Sequence, residues 1–206
     1  MGKNLPNILT VSRIFAVLIF VAIASVAHIG VINDAKLIFS LRVIAVVLAL
    51  LAGLTDLLDG YLARKFHWVS DFGALMDPLA DKIFVTGTML MAVEYRIIPA
   101  WIAIAVLFRE FMVTGLRTLA AKKQIVISAD RWGKLKTALQ MTMLGIAGIA
   151  WAIDGGNVYL HNESWFGIRI WYIWLTFMTG IVLITLFSGL GYFIRYRKLF
   201  FAPEED

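Results

Sequence analysis

Long apolar stretches separated by short polar ones give this chain a rhythm matched to a lipid bilayer. A hydrocarbon layer of about 30 Å takes about 20 mostly apolar residues per helix. Residues 14–32 carry no formal charge, 37–55 are interrupted only by Arg42, and 137–153 and 170–194 are uncharged again. Each of these runs predicts a spanning helix. Two shorter runs, 83–93 and 97–108, lie between them. They reach span length only if charged residues ride on their ends: Asp77 and Asp81 on the first, Arg109, Glu110 and Arg117 on the second. Charges at that depth are costly and normally face a polar cavity. Both runs therefore read as helices whose charged ends form a site. The expected fold is an all-α integral membrane protein with six transmembrane helices, in a single domain over 1–206. No internal repeat or linker is visible.

Composition agrees. The hydrophobic fraction is 61% and the charged fraction 16%, against roughly 45–50% and 25% for a soluble domain. Mean hydropathy is +0.83. A soluble globular protein, a disordered tail and a secreted disulfide scaffold are all excluded. The absence of cysteine removes disulfides, thiolate metal sites and cysteine nucleophiles together. The formal charge of +5 would suggest nucleic acid in a soluble chain. Here cytoplasmic loops rich in Lys and Arg, drawn to anionic head groups, account for it, and no nucleic-acid partner is expected.

Positive charge also predicts orientation. With the N-terminus inside, the cytoplasmic segments hold Lys3, Arg64, Lys65, Lys122, Lys123, Arg131, Lys134, Lys136, Arg195, Arg197 and Lys198. The opposite face holds only Lys36, Arg42, Arg96 and Arg169. Both termini are then cytoplasmic. Trp68, Trp101, Trp132, Trp151 and Trp165 fall near span ends, where an aromatic belt is expected. Lys3 followed by an apolar stretch and Ser25-Val26-Ala27 faintly resembles a signal peptide. Arg13 interrupts that stretch and the apolar run continues past the cleavage point, so it reads as an uncleaved first helix.

Five of the 14 acidic residues lie between positions 56 and 81: Asp56, Asp59, Asp71, Asp77 and Asp81. Spacings of three and four put Asp56 with Asp59, and Asp77 with Asp81, on one helix face each. A helical hairpin would gather these four carboxylates at the cytoplasmic end of two adjacent spans. Four bare anions cannot share such a volume unless some are protonated or cations sit among them. Oxygen-only ligands favour Mg²⁺, Mn²⁺ or Ca²⁺, and four Asp suit two ions sharing ligands. Asp71 is off the spacing and reads as a surface residue. Gly60 and Gly73 flank the two pairs, each one turn away on the carboxylate face. They leave room for a bulky ligand, or else let membrane helices pack closely. Arg64 is either a phosphate ligand or an ordinary positive-inside charge. A second cluster joins Arg109, Glu110 and Arg117 to Arg131, Lys134 and Lys136. A positive-inside loop accounts for Lys122, Lys123 and Lys136. Arg109 lies deeper, and is either part of an anion site or a buried ion pair with Glu110.

The stretch Asp56-Leu57-Leu58-Asp59-Gly60-Tyr61-Leu62-Ala63-Arg64, a spacer of eight residues, then Gly73-Ala74-Leu75-Met76-Asp77-Pro78-Leu79-Ala80-Asp81 resembles the signature of the CDP-alcohol phosphatidyltransferase family. That signature reads D-x-x-D-G-x-x-A-R, a spacer, then G-x-x-x-D-x-x-x-D, and every specified position is present. Chain length and six spans also suit the family. Three less specific motifs are similar to its bacterial phosphatidylglycerophosphate synthase branch. They are Leu5-Pro6-Asn7-Ile8-Leu9-Thr10-Val11-Ser12-Arg13, Arg109-Glu110-Phe111 with Gly115-Leu116-Arg117, and Gly133-Lys134-Leu135-Lys136-Thr137.

The resemblance implies metal-dependent transfer of a phosphatidyl group from CDP-diacylglycerol to sn-glycerol 3-phosphate, giving phosphatidylglycerol phosphate and CMP. It implies that Asp56, Asp59, Asp77 and Asp81 hold two divalent ions, Mg²⁺ or Mn²⁺, and that Asp81 is the general base. It places Asn7, Thr10, Gly60, Arg64, Ser70 and Gly73 at the CDP-diacylglycerol site, and makes Arg109, Arg117 and Lys134 the candidates for the acceptor phosphate. A dianionic acceptor in a partly dehydrated site needs several cations, which agrees, although inositol phosphate would meet the same demand. The implied setting is the bacterial cytoplasmic membrane, multi-pass, with the active site on the cytoplasmic side and a homodimer as the assembly.

Two rivals remain. A prenyl-diphosphate transferase also uses Asp-rich motifs with Mg²⁺, but such membrane enzymes are longer and lack the Gly-x-x-Ala-Arg element. A cation-coupled transporter would place the four Asp near the bilayer midplane, between inverted repeats. Here they sit at span ends, which favours an enzyme taking a nucleotide from the cytosol.

Overall fold

The computed structural model describes residues 5–28, 32–66, 71–125, 131–155, 164–165 and 168–197. Within these, the side chains of 5–6, 56–66, 71–72, 74–75, 122, 131–132, 134, 154, 164–165 and 168 lie outside the description. Six helices stand among the described residues: α1 (Leu5–His28), α2 (Ala35–Phe66), α3 (Asp71–Glu94), α4 (Ala100–Lys122), α5 (Arg131–Asp154) and α6 (Ile170–Tyr196). The all-α expectation meets one small addition. Strands β1 (Ser164–Trp165) and β2 (Ile168–Arg169) pair antiparallel, Ser164 opposite Arg169 and Trp165 opposite Ile168.

Four helices contain stretches long and apolar enough to cross a membrane: Asn7–His28, Ala35–Thr55, Leu135–Ile153 and Ile170–Tyr196. These are the four long runs of the sequence. α3 and α4 have comparable lengths, 24 and 23 residues, but carry Asp77, Asp81 and Lys82, and Arg109, Glu110 and Arg117. Large apolar side chains point outward all along the helices, among them Phe15, Leu18, Leu51, Ile104, Phe108, Leu183 and Phe187. Outward Leu, Ile and Phe over whole helix faces are what a lipid solvent selects, since backbone polar groups are already paired inside the helix.

Helix bounds depart from the apolar runs in two places. The first helix starts at Leu5 and its described part ends at His28, not at 14 and 32. Arg13 lies inside it, 2% exposed, because an arginine turned to the protein interior need not end a helix. α2 continues past the apolar run to Phe66. Leu, Ala, Tyr and Arg sustain helix there while the hydrophobic stripe fades.

The chain divides into two compact units, Met1–Ile98 with Leu144–His161, and Pro99–Met143 with Asn162–Asp206. In the first, α1 packs along both α2 and α3, while α2 and α3 touch each other more sparingly. Val17, Phe20, Ala24, Ala45, Ala52, Phe84 and Met89 are buried there. Asp34 caps α2, its Oδ1 accepting the Lys36 N–H at 2.9 Å. α1 and α3 run parallel, with Thr10 beside Asp77 and Ala24 beside Tyr95. Trp151, expected in an aromatic belt, is only 4% exposed and meets the Tyr95 ring edge-on at 4.7 Å. Its neighbours in the fold, not its place near a span end, decide where it faces. In the second unit α4 packs along α6, around a cluster of Val113, Leu116 and Tyr192 edged by Met112 and Tyr196.

Candidate functional site

The motif carboxylates occupy two helices of the first unit. Asp56, Asp59, Gly60 and Arg64 all lie on the unbroken α2, so their three- and four-residue spacings are true helical spacings. Their side chains lie outside the description, and Ser70 lies outside the described residues altogether. On α3, Gly73 is buried while Asp77 and Asp81 are exposed. Pro78 sits between them inside the helix. A proline there has no N–H to return to the carbonyl four residues back, which loosens the helical ladder next to Asp77. Lys82, next to Asp81 in the chain, turns its ammonium to the Pro78 carbonyl at 3.2 Å.

α1 supplies the contact that the Asp motif does not contain. The Thr10 hydroxyl donates to Oδ1 of Asp77 at 2.6 Å, across 67 residues. Thr10 is fully buried and Asn7, one turn earlier, is half-buried. Two residues expected at the nucleotide site are thus carried on the helix that touches Asp77, a carboxylate expected to hold metal. The expectation of a simple α2–α3 hairpin misses this, because α1 is the helix on which both of the others pack. The donated bond orients one Asp77 oxygen and leaves further lone pairs for other donors or a cation. Among the described residues no group of three or more potential metal ligands comes together. Asp56 and Asp59 are outside that set. As a donor set, the carboxylates suit a hard divalent ion.

The basic cluster belongs to the second unit. Arg109 is 6% exposed, and its Nη2 donates to Ser188 Oγ on α6 at 2.9 Å. Its guanidinium carbon stands 6.0 Å from the centre of the Tyr192 ring, and that of Arg117 5.7 Å. Arg117 Nη2 also donates to the Tyr192 hydroxyl, at 3.4 Å. Gly189 makes room for this: a Cβ there would lie 3.0 Å from Cγ of Arg109. A Cβ on Gly133 would stand 3.9 Å from Arg109 Nη2 and 4.0 Å from the Tyr192 hydroxyl, so α5 presents a bare backbone position to this cluster. The side chain of Lys134 lies outside the description.

The ion pair read between Arg109 and Glu110 is present, but it is not the carboxylate's closest one. Glu110 Oε1 forms its close ion pair with Lys136, and Arg109 Nη1 is 3.5 Å away. Lys136, assigned to a positive-inside loop, is buried at 3% exposure. It lies inside α5, where the Glu110 carboxylate offsets part of the cost of burying an ammonium. Ser188 and Tyr192 escaped the sequence reading. They lie four apart in an otherwise apolar run, and that shared helix face was the available signal.

The family model described as CDP-alcohol phosphatidyltransferase matches residues 3–182. A Mycoplasma pneumoniae protein named CDP-diacylglycerol–glycerol-3-phosphate 3-phosphatidyltransferase is 40% identical over 68% of this chain and 65% of its own length. A Bacillus subtilis protein of the same name is 37% identical over 67% of this chain and 72% of its own. One from Rickettsia felis is 31% identical over 96% of this chain and 98% of its own.

Proposed function

The chain belongs to the CDP-alcohol phosphatidyltransferase family, and from that premise we propose that it transfers the phosphatidyl group of CDP-diacylglycerol to sn-glycerol 3-phosphate. The names of the relatives support this choice of donor and acceptor. Within the molecule, the observation that carries the reading is the bond from Thr10 to Asp77, which joins the α1 motif to the Asp signature.

In the proposed reaction the acceptor hydroxyl oxygen bonds to the phosphorus bearing diacylglycerol. The bond from that phosphorus to the oxygen of CMP breaks, and the hydroxyl proton passes to Asp81. Asp56, Asp59, Asp77 and Asp81 would hold two Mg²⁺ or Mn²⁺ ions. Such ions supply charge neutralisation at the diphosphate and at the departing CMP. A carboxylate is a weak base for an alcohol, so positioning of the acceptor hydroxyl at Asp81 must carry much of the rate. Asn7, Thr10, Gly60, Arg64, Ser70 and Gly73 bind the nucleotide end of the donor. Arg109, Arg117 and Lys134 bind the acceptor phosphate, with Ser188 and Tyr192 holding the two guanidinium groups in place.

The proposed setting is the cytoplasmic membrane of a bacterium, with six spans, both termini and the Asp site on the cytoplasmic side, and a homodimeric assembly. α3 and α4, of 24 and 23 residues, complete the six.

The test is CMP release by purified protein in detergent with CDP-diacylglycerol and Mg²⁺, offering glycerol 3-phosphate, inositol 3-phosphate, serine or no acceptor, each with and without EDTA. Release with glycerol 3-phosphate alone, abolished by EDTA and by Asp81→Asn, is the expected result. Release with a different acceptor would overturn the assignment of the basic cluster, and EDTA-resistant release would overturn the metal site.

A further inference from the structure

At the end of the first unit remote from the Asp motif lies a polar cavity of about 560 Å³ lined by Ala27, His28, Arg42, Val93, Glu94, Tyr95, Arg96 and Gly155. Seventeen residues of α3 separate Asp77 from Glu94, about 25 Å at the helical rise. The cavity therefore sits nearly one hydrocarbon thickness from the carboxylate end, and nothing in the proposed reaction uses it.

Its charges are arranged for an anion. Arg42 interrupts the apolar stretch Ala35–Thr55 about two turns past the start of α2, at the cavity end of the helix. It is half-buried, and its Nε is buried without a hydrogen-bond partner among the described residues. Of the residues lining the cavity, the carboxylate is Glu94, 3.4 Å from His28 Nε2; among the side chains described, no ion pair to Arg42 or Arg96 is present. The backbone is shaped around these two arginines. Gly155 has φ +68, and a Cβ there would come within 2.6 Å of Arg42 Nη1. A side chain there would displace the guanidinium from its present position. Arg96 itself holds φ +58 just past the end of α3, a conformation glycine or asparagine adopts more cheaply. A strained arginine at a cavity wall is a feature to connect with binding. Tyr95 completes the wall, its hydroxyl donating to the Ala24 carbonyl at 2.7 Å and its ring meeting His28 edge-on. Burial pushes that hydroxyl above its ordinary pKa, against the pull of Arg42, so it stays a neutral donor.

We propose that this cavity is a phosphate-anion site, in which Arg42 and Arg96 hold the phosphate group of a membrane lipid or of a soluble phosphate on the membrane face opposite the carboxylate site. Two guanidinium groups lining one cavity, one of them with a buried Nε that has no hydrogen-bond partner among the described residues, suit an oxyanion able to take paired N–H donors.

The experiment titrates the full-length protein in neutral detergent with dioctanoyl phosphatidylglycerol in one arm and inorganic phosphate in the other, reading the thermal midpoint. Arg42→Gln and Arg96→Gln are measured beside the wild type, with CMP release as the control on the distant site. Loss of a charge-assisted pair should weaken the apparent affinity about tenfold in each variant, with CMP release unchanged. Arginine dependence in the lipid arm assigns a lipid head group, and in the phosphate arm alone a soluble phosphate; either supports the site. Equal midpoint shifts in wild type and both variants, in both arms, would overturn it. Should Arg42→Gln not fold, Arg96→Gln, which alters an exposed side chain, decides by the same criterion. Because the readout is binding, inactivity toward glycerol 3-phosphate would leave this result standing.

Discussion

The Tyr192 phenol is shared between two guanidinium groups, with Arg117 bonded to its hydroxyl and both cations near its ring face. Removing parts of that side chain separates the two interactions. Tyr192→Phe keeps the ring and should raise KM for glycerol 3-phosphate about two- to fivefold, the scale of one modest hydrogen bond. Tyr192→Leu removes the cation–π contact as well and should raise it beyond tenfold. KM for CDP-diacylglycerol should stay within about twofold in both, if uniform binding of the acceptor alone is lost. Equal rises for both substrates would show that Tyr192 does not position the acceptor arginines. At this scale the charged residues were legible because acid and base stand out in apolar runs. Ser188 and Tyr192 were not legible: an uncharged side chain in a span looks like packing until a partner 79 or 75 residues away is found.

Among the elements, α4 and α5 are tied by Glu110 and Lys136. A buried ion pair adds little net stability, but breaking it strands a charge. Glu110→Ala should therefore cost about 3–5 kcal/mol, read as a shift in the SDS concentration that unfolds the protein. The double variant Glu110→Leu with Lys136→Met should recover much of that loss. A double variant as unstable as Glu110→Ala would mean that the pair specifies packing beyond its charge. Helix periods placed all six helices, since apolar runs and i, i+3 spacings are local properties. Bounds were less legible. α2 outlasts its apolar run by about three turns because helix propensity, not hydrophobicity, carries it to Phe66.

For the whole chain, orientation is the open physical quantity, and lysine and arginine bias predicts it. The absence of native cysteine allows single-cysteine labelling without background. Ser70→Cys should react with an impermeant maleimide only after access to the cytoplasmic side, and Asn33→Cys from the opposite side in intact cells. The reverse pattern would invert the topology and place the Asp motif outside the cell. The amino-acid sequence by itself determined a membrane protein, its main apolar helices, the helix faces shared by Asp56 with Asp59 and Asp77 with Asp81, and a family resemblance. Those depend on composition and on spacings within one or two turns. Tertiary structure alone decided that Thr10 meets Asp77, that Lys136 is buried against Glu110, that Arg109 rests on α6, and that Arg42 and Arg96 line one cavity. Each is a pairing of polar groups far apart along the chain, and a buried polar group takes whichever partner the packing of helices brings within reach.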